Sequence, residues 1–153
     1  MIGNDLKNEE KIFGEKLQNV EYIDRIGVYG VVINNEGKLA VIKTSTGYIL
    51  LPGGGIENVE THKECLEREF IEEIGYKIDI KKYIGKASMY HLSRENKHLC
   101  GIGYFYIVNL KSMTDYKIEE DKELIWIDPY ECTKYLSLEH QSWAVLKAME
   151  YKF

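Results

Sequence analysis

Three glutamates with helical spacing are the residues of this chain best suited to chemistry. Glu69, Glu72 and Glu73 stand at positions i, i+3 and i+4, which in an α-helix places them within an arc of about 100° on one face. Carboxylates this close repel one another unless a positive charge lies between them. Clustered carboxylate oxygens are the ligands that Mg²⁺ or Mn²⁺ prefers, usually together with waters and substrate phosphates. The spacing indicates a divalent-cation site, although solvated helix faces also carry such glutamates.

A glycine-rich segment precedes these glutamates and could bring backbone groups close to an anionic substrate. Gly53, Gly54 and Gly55 are consecutive, and a glycine backbone can approach oxyanions closely at a helix N-terminus. We therefore expect Gly54 and Gly55 to bind substrate. Glu60 and Arg68 carry opposite charges on either side of the joint between this segment and the helix, where an ion pair could hold the loop in shape.

The segment from Gly54 to Tyr76 carries a spaced pattern in which every fixed residue is present. The pattern is G-x5-E-x7-R-E-U-x-E-E-x-G-U, where U is bulky and apolar, and its fixed residues are Gly54, Glu60, Arg68, Glu69, Glu72, Glu73 and Gly75. At roughly one tenth per position, seven chance matches occur about once in ten million starting points. The sequence resembles the Nudix hydrolases, MutT-like enzymes whose defining box is this pattern. Tyr76 stands where that family more often has an aliphatic residue.

The resemblance implies a magnesium-dependent enzyme, with Mn²⁺ as a possible substitute, that uses water to cut a phosphoanhydride bond in a small nucleotide. The implied metal ligands are Glu69, Glu72, Glu73 and the carbonyl oxygen of Gly53. The resemblance also makes Glu60 and Arg68 structural partners, with the arginine orienting the catalytic carboxylates.

A further acidic residue is expected outside the box, because family members often carry one in a loop before a late strand. Here an acidic segment, residues 118–123, precedes an apolar run. We favour Glu120 as this additional ligand and keep Glu119 and Glu123 as alternatives.

The reaction requires screening of the substrate's negative charge, an aligned water and a stabilised leaving phosphate. Metal ions provide the screening, and a free carboxylate takes the proton of the attacking water. Glu72, Glu73 and Glu120 are the three candidates for this base, and together with Arg68 they form the predicted catalytic set.

The helix that must position the carboxylates is predicted over Thr61–Ile74. Thr61 and Glu64 form a Thr-x-x-Glu capping box, and Gly75 suits the left-handed residue that ends many helices. Apolar residues recur every four positions on the opposite face, which predicts that the helix packs on a core.

Strand-like runs lie on both sides of this helix. The predicted strands are residues 26–33, 38–43, 48–51, 76–80, 83–92, 98–110 and 124–127, and helices are expected after Pro129 and over about 138–151. The Asn34–Gly37 segment predicts a hairpin between the first two strands. The order predicts an α/β (α+β) fold, with a mixed β-sheet sandwiched between α-helices. We expect residues 25–153 to form the Nudix hydrolase domain, and residues 1–24 to be a loose helix or irregular arm.

Composition and charge narrow the partners of the chain. It has 153 residues, a formal net charge of −5 and no basic stripe, so we expect no nucleic-acid duplex as partner. Its three cysteines lie far apart, which indicates neither a disulfide framework nor a zinc site. Without a long apolar run or a secretory signal, no membrane partner is expected, and we predict a cytoplasmic monomer or homodimer.

The exact substrate is less well defined by the sequence. The proline that ADP-ribose-cleaving relatives commonly carry past the box is absent, and the extended motif of NADH-cleaving relatives is missing. We therefore favour a nucleoside triphosphate or a nucleoside-diphosphate derivative. Tyr90 lies close to where diadenosine-polyphosphate hydrolases tend to have a tyrosine, which keeps that activity as an alternative. A non-catalytic nucleotide-sensing module is another alternative, but it would be expected to have lost box carboxylates.

Overall fold

The computed structural model describes residues 10–151 as two β-sheets and three α-helices. The strands are β1 (Lys11–Phe13), β2 (Ile23–Val31), β3 (Leu39–Thr44), β4 (Ile49–Leu50), β5 (Gly53–Gly55), β6 (Tyr76–Leu92), β7 (His98–Met113) and β8 (Lys122–Ile127). The helices are α1 (His62–Ile74), α2 (Cys132–Tyr135), preceded by a 3₁₀ turn at Pro129–Glu131, and α3 (Glu139–Ala148). Within residues 10–151, none of the helices has the length and apolar character needed to cross a membrane.

The larger sheet is mixed and has five strands in the order β1-β6-β7-β2-β5. The pairs β1–β6 and β2–β7 are parallel, whereas β6–β7 and β2–β5 are antiparallel. A second, antiparallel sheet has the order β4-β3-β8. The predicted mixed sheet with helices is confirmed, but the strands divide between two sheets where one was expected.

Two apolar clusters place α1 and α3 on opposite faces of the five-stranded sheet. One cluster joins Leu66 and Phe70 of α1 to Val108 of β7. The other joins Val145 of α3 to Phe105 of β7. Because side chains alternate between the faces of a strand, residues of odd and even number on β7 reach different helices. The sheet therefore forms a rigid layer against which the glutamate-bearing helix is fixed.

Helix α1 begins and ends where the sequence predicts. Thr61 is the N-cap, its hydroxyl accepts a hydrogen bond from the Glu64 amide at 3.1 Å, and the Glu64 carboxylate accepts one from the Thr61 amide at 2.9 Å. Gly75 has φ of 73° and closes the C-terminus. These caps satisfy backbone groups that a helix end leaves unpaired, and they fix the register of the glutamates.

The glycine segment differs from its predicted form. A loop was expected, but Gly53–Gly55 forms strand β5, which pairs with residues 27–29 of β2. Gly53 has φ of 139°, and a β-carbon there would collide with the carbonyl oxygen of Val28. Glycine is required because the strand lies this close to its neighbour.

The first two predicted strands are joined by the expected turn but do not form one two-stranded ribbon. The Asn34 side chain accepts hydrogen bonds from the amides of Glu36 and Lys38, and Gly37 has φ of 75°. Beyond a bridge between Ile33 and Leu39 the two strands enter different sheets. The turn thus carries the chain from one sheet to the other.

Two other segments also differ from expectation. The runs at 76–80 and 83–92 form one strand, β6, with register shifts between Lys77 and Ile78, between Ile80 and Lys82, and between Tyr83 and Gly85. In the N-terminal arm, Lys11–Phe13 is a strand paired in parallel with residues 87–89, where a helix or irregular chain was expected. Residues 1–9 of the arm lie outside the described residues.

A buried histidine makes the fold sensitive to acid. His140, at the start of α3, is 2% exposed, and its Nδ1 has no hydrogen-bond partner among residues 10–151. Burial, with a smaller contribution from His91, lowers the pKa of His140 from 6.5 to about 4. Between pH 6.5 and 4, the His140 side chain is therefore protonated in the unfolded chain and neutral in the folded chain. The free energy of unfolding decreases as the pH falls through this range.

We expect His140→Gln to reduce this acid sensitivity, because glutamine has similar size and does not titrate. Between about pH 7 and about pH 5, the wild type should lose about 2 kcal/mol more unfolding free energy than the variant. Urea unfolding at both pH values measures the difference. Equal losses in the two proteins would show that His140 is not the group responsible.

Candidate active site

Three of the four glutamates of the pattern belong to α1, and these three, the box glutamates, lie at different depths. Their side chains are 14%, 44% and 9% exposed for Glu69, Glu72 and Glu73 respectively. The spacing predicts that they share one face of the helix. In the structure, Glu69 lies against Gly54 and Glu73 against Gly53, both in β5, and Glu72 contacts Arg68. Glu73 is thus the most enclosed carboxylate and Glu72 the most accessible to solvent.

Glu73 is held by the glycine strand and by a lysine. Its Oε1 accepts a hydrogen bond from the Gly53 amide at 2.8 Å. Its Oε2 lies 3.6 Å from Nζ of Lys122, at the start of β8. Gly53, whose carbonyl oxygen is a predicted metal ligand, is therefore bound to the Glu73 carboxylate through its amide.

Glu69 packs directly on the second glycine of the segment. A β-carbon at Gly54 would lie 2.5 Å from Oε1 of Glu69, so only glycine leaves room for the carboxylate in this position. Gly54 and Gly55 also accept weak contacts from the Cys65 thiol, at 3.5 and 3.6 Å from their carbonyl oxygens. The absence of side chains on β5 is what lets the helix carboxylates approach its backbone.

Arg68 ties the helix, the glycine strand and the intervening loop together. Its Nε and Nη2 donate to the two oxygens of Glu60 at 2.6 and 2.9 Å, and Nη2 also donates to the Gly55 carbonyl at 3.0 Å. Its Nη1 lies 3.0 Å from Oε1 of Glu69 and 3.3 Å from Oε2 of Glu72. The expected pair with Glu60 is thus present, and the same guanidinium fixes two of the three box carboxylates.

Burial and pairing give these carboxylates different proton affinities. Burial raises the pKa of Glu73 to about 7, although the Gly53 amide and Lys122 favour its ionised form. Burial also raises the pKa of Glu69, against the hydrogen bond from Arg68. By contrast, the hydrogen bond from Arg68 lowers the pKa of Glu60 to about 2. Negative charge is therefore destabilised at Glu69 and Glu73 and well stabilised at Glu60.

Glu120 comes two residues before Lys122, whose ammonium contacts Glu73. It is exposed in the turn before β8 and, with Lys43 of β3, lines a small cleft of about 230 Å³. The alternatives Glu119 and Glu123 are also exposed. Within this acidic segment, Lys122 is the residue whose side chain contacts a box glutamate, which is Glu73.

Sequence reasoning missed two side chains beside the glutamates. Lys122 is one of them. Side chains two positions apart share a face of a strand, and Leu124 of β8 packs against the apolar cluster that contains α1, so Lys122 faces the same helix. Tyr29 on β2 is the other. Burial, Glu73 and Glu69 raise the pKa of Tyr29 to about 12, and nothing local in the sequence marks this residue.

The residues present fit a divalent cation by their chemistry. Glu69, Glu72 and Glu73 supply hard oxygen donors beside the backbone of β5, and the two buried ones carry charge that a cation would stabilise. Among residues 10–151, no three His, Cys, Asp or Glu side chains form a complete metal-binding arrangement. Arg68 contacts Glu69 and Glu72, and Lys122 contacts Glu73.

Comparisons with known proteins identify the domain and the fold of this chain. The NUDIX domain model matches residues 24–148, and no match is found among curated protein sequences. A NUDIX hydrolase from Nitrosomonas europaea superposes with a TM-score of 0.69 at 14% identity, over 84% of this chain and 90% of that one. The MutT protein from Methanosarcina mazei Go1 superposes with a TM-score of 0.63 at 21% identity, over 88% of this chain and 100% of that one.

An ADP-ribose pyrophosphatase from Streptococcus suis 89-1591 also superposes, with a TM-score of 0.60 at 13% identity, over 84% of this chain and 94% of that one. Because the sequence identities are below 25%, these three superpositions show similarity of fold alone. Family membership follows from the domain model, which spans most of the chain and includes the whole spaced pattern. The chain belongs to the Nudix hydrolase family, whose members hydrolyse pyrophosphate bonds.

Proposed function

We propose that this chain is a Mg²⁺-dependent hydrolase that cuts a phosphoanhydride bond in a nucleoside triphosphate or a nucleoside-diphosphate derivative. The observation that carries the proposal is the approach of Glu69 and Glu73 to the side-chain-free strand β5, with Arg68 holding the joint. Buried carboxylates facing bare backbone are costly for folding alone. They are useful where a cation and phosphate groups must meet.

Each residue is given a role that follows from its contacts. We assign the cation to Glu69, Glu73 and the Gly53 carbonyl, with Glu120 as an additional ligand from the turn before β8. A bound divalent cation would screen the negative charge of the substrate phosphates. Gly54 and Gly55 let those phosphates approach the backbone, because neither has a side chain in the way.

Glu72 is the proposed base among the three candidates. Its side chain is 44% exposed and touches only Arg68 among the charged groups of the site, whereas the side chain of Glu73 is 9% exposed and is held by Gly53 and Lys122. An accessible carboxylate can take the proton of an attacking water. Arg68 contacts both Glu69 and Glu72, so it orients them and acts as a positioning residue.

A cleft beside the glycine strand supports a nucleotide as substrate. It has a volume of about 540 Å³ and is lined by Asp24, Arg25, Ile26, Tyr29, Gly55, Ile56 and Asn58. Small-molecule sites commonly have volumes of about 300–1,000 Å³. The isoleucines offer apolar surface to a base, and the polar residues offer hydrogen bonds to its edges or to the ribose.

We expect hydrolysis to require a divalent cation, because in this proposal the cation screens the negative charge of the substrate phosphates. The experiment measures phosphate and pyrophosphate release from a panel of nucleoside triphosphates, nucleoside-diphosphate derivatives and diadenosine polyphosphates. Turnover in millimolar Mg²⁺ should fall to background in excess EDTA and return when Mg²⁺ is restored.

Full turnover in excess EDTA would contradict the proposal. Preferred turnover of diadenosine polyphosphates would identify these compounds as the substrate class, and the proposed hydrolysis of a phosphoanhydride bond would still stand. Nucleotide binding without turnover of any compound, with Mg²⁺ present, would identify a sensing module instead.

A further inference from the structure

Lys122 is a cation of the protein placed at the most buried box carboxylate. Its Nζ lies 3.6 Å from Oε2 of Glu73, and its side chain is 30% exposed. It is the first residue of β8, paired in register with Thr44 of β3. The strand therefore fixes its backbone, while the ammonium stands at the end of a flexible four-carbon stem.

The contacts of Glu73 leave one oxygen for two competing cations. Oε1 accepts the Gly53 amide at 2.8 Å, a hydrogen bond that β5 holds in place. Oε2 faces Lys122. A divalent cation that uses Glu73 as a ligand must therefore share or take Oε2 from the lysine.

The Lys122 ammonium stabilises the same negative charge on Glu73 that would attract a cation. Two positive charges at one carboxylate repel each other strongly when the pair is partly shielded from water.

We propose that Lys122 is a built-in competitor of the divalent cation for Glu73, and so sets the cation concentration at which the site fills. The inference rests on the proposed function, since it concerns the cation of that site. In this role Lys122 stabilises the buried carboxylate before the cation binds, and it moves towards solvent when the cation takes Oε2.

The test measures Mn²⁺ binding to the substrate-free full-length chain by the loss of the free-ion electron paramagnetic resonance signal. We expect Lys122→Met to tighten Mn²⁺ binding by about tenfold, because the competing charge is gone. Lys122→Arg keeps the charge and should bind within about threefold of the wild type. The matched control is Lys38→Met, just before β3, which changes net charge equally at an exposed position.

Thermal melting of the same variants supplies a second measurement. In EDTA, Lys122→Met should melt below the wild type, because Glu73 is left buried without its counter-charge. Saturating Mn²⁺ should raise its melting temperature by more than that of the wild type, since tighter binding to the folded state stabilises it further.

The outcomes separate this inference from the proposed function. Unchanged or weaker Mn²⁺ binding by a folded Lys122→Met would overturn the competition. Equal tightening by Lys38→Met would also overturn it, because it would indicate a general charge effect. If neither the wild type nor Lys122→Met binds Mn²⁺, the cation site itself is wrong and the proposed function falls with it.

Discussion

Replacing Glu72 with glutamine is expected to lower kcat by about 10²-fold or more, the scale of a lost general base. Glutamine keeps the size of the side chain and can still accept a hydrogen bond from Arg68, which lies 3.3 Å away. It cannot take a proton from water. Because the side chain is 44% exposed, folding should be preserved. The measurement is kcat at saturating Mg²⁺ and substrate, with thermal melting to verify the fold.

Glu73→Gln should have a different signature, which separates a base from a ligand. Its carboxylate is pinned by Gly53 and faces Lys122, so its loss should raise the Mg²⁺ concentration needed for half-maximal rate as well as lower kcat. Glu67→Gln on the same helix is the control and should stay within about twofold of the wild type. Glu67 lies well away from the arc of the three glutamates, at 100° per residue. Equal losses at Glu67 and Glu72 would show that the wrong carboxylates were chosen.

Helix α1 could be predicted from sequence because its determinants are local. The capping box of Thr61 and Glu64 and the left-handed Gly75 act within one turn of the helix. The division of the strands into two sheets could not be predicted in the same way. Pairing of β3 with β8 joins residues some eighty positions apart, and neither strand carries a local mark of its partner.

In the candidate site, too, contacts between residues close in sequence could be predicted, and contacts between distant residues could not. Arg68 and Glu60 were expected to pair, and they lie at 2.6 Å, because both belong to the short segment that α1 orders. Lys122 was not expected, since its approach to Glu73 depends on the register of β8 against β3. That register is set by the whole sheet. The charge of residues 118–123 indicated a glutamate as the residue near the helix, but the side chain that contacts α1, at Glu73, is that of Lys122.

Arg68→Met is expected to cost both stability and rate. The substitution leaves Glu60 and Glu69, which are 19% and 14% exposed, without their shared counter-charge. Removing the arginine should lower the free energy of unfolding, because the partly buried Glu69 keeps its charge without a counter-charge. The Gly55 carbonyl also loses its hydrogen bond, so β5 and α1 are no longer fixed to each other and kcat should fall by about tenfold or more.

Arg68→Lys distinguishes the geometry of this residue from its charge. Lysine keeps the positive charge but cannot donate to both oxygens of Glu60 while also reaching Gly55 and Glu69. We therefore expect intermediate losses of unfolding free energy and kcat. Arg94→Met, at an exposed position in the turn between β6 and β7, is the control for loss of an arginine. If Arg68→Lys behaves like the wild type in urea unfolding and in kcat, charge alone suffices and the fork of contacts around Arg68 does not position the glutamates.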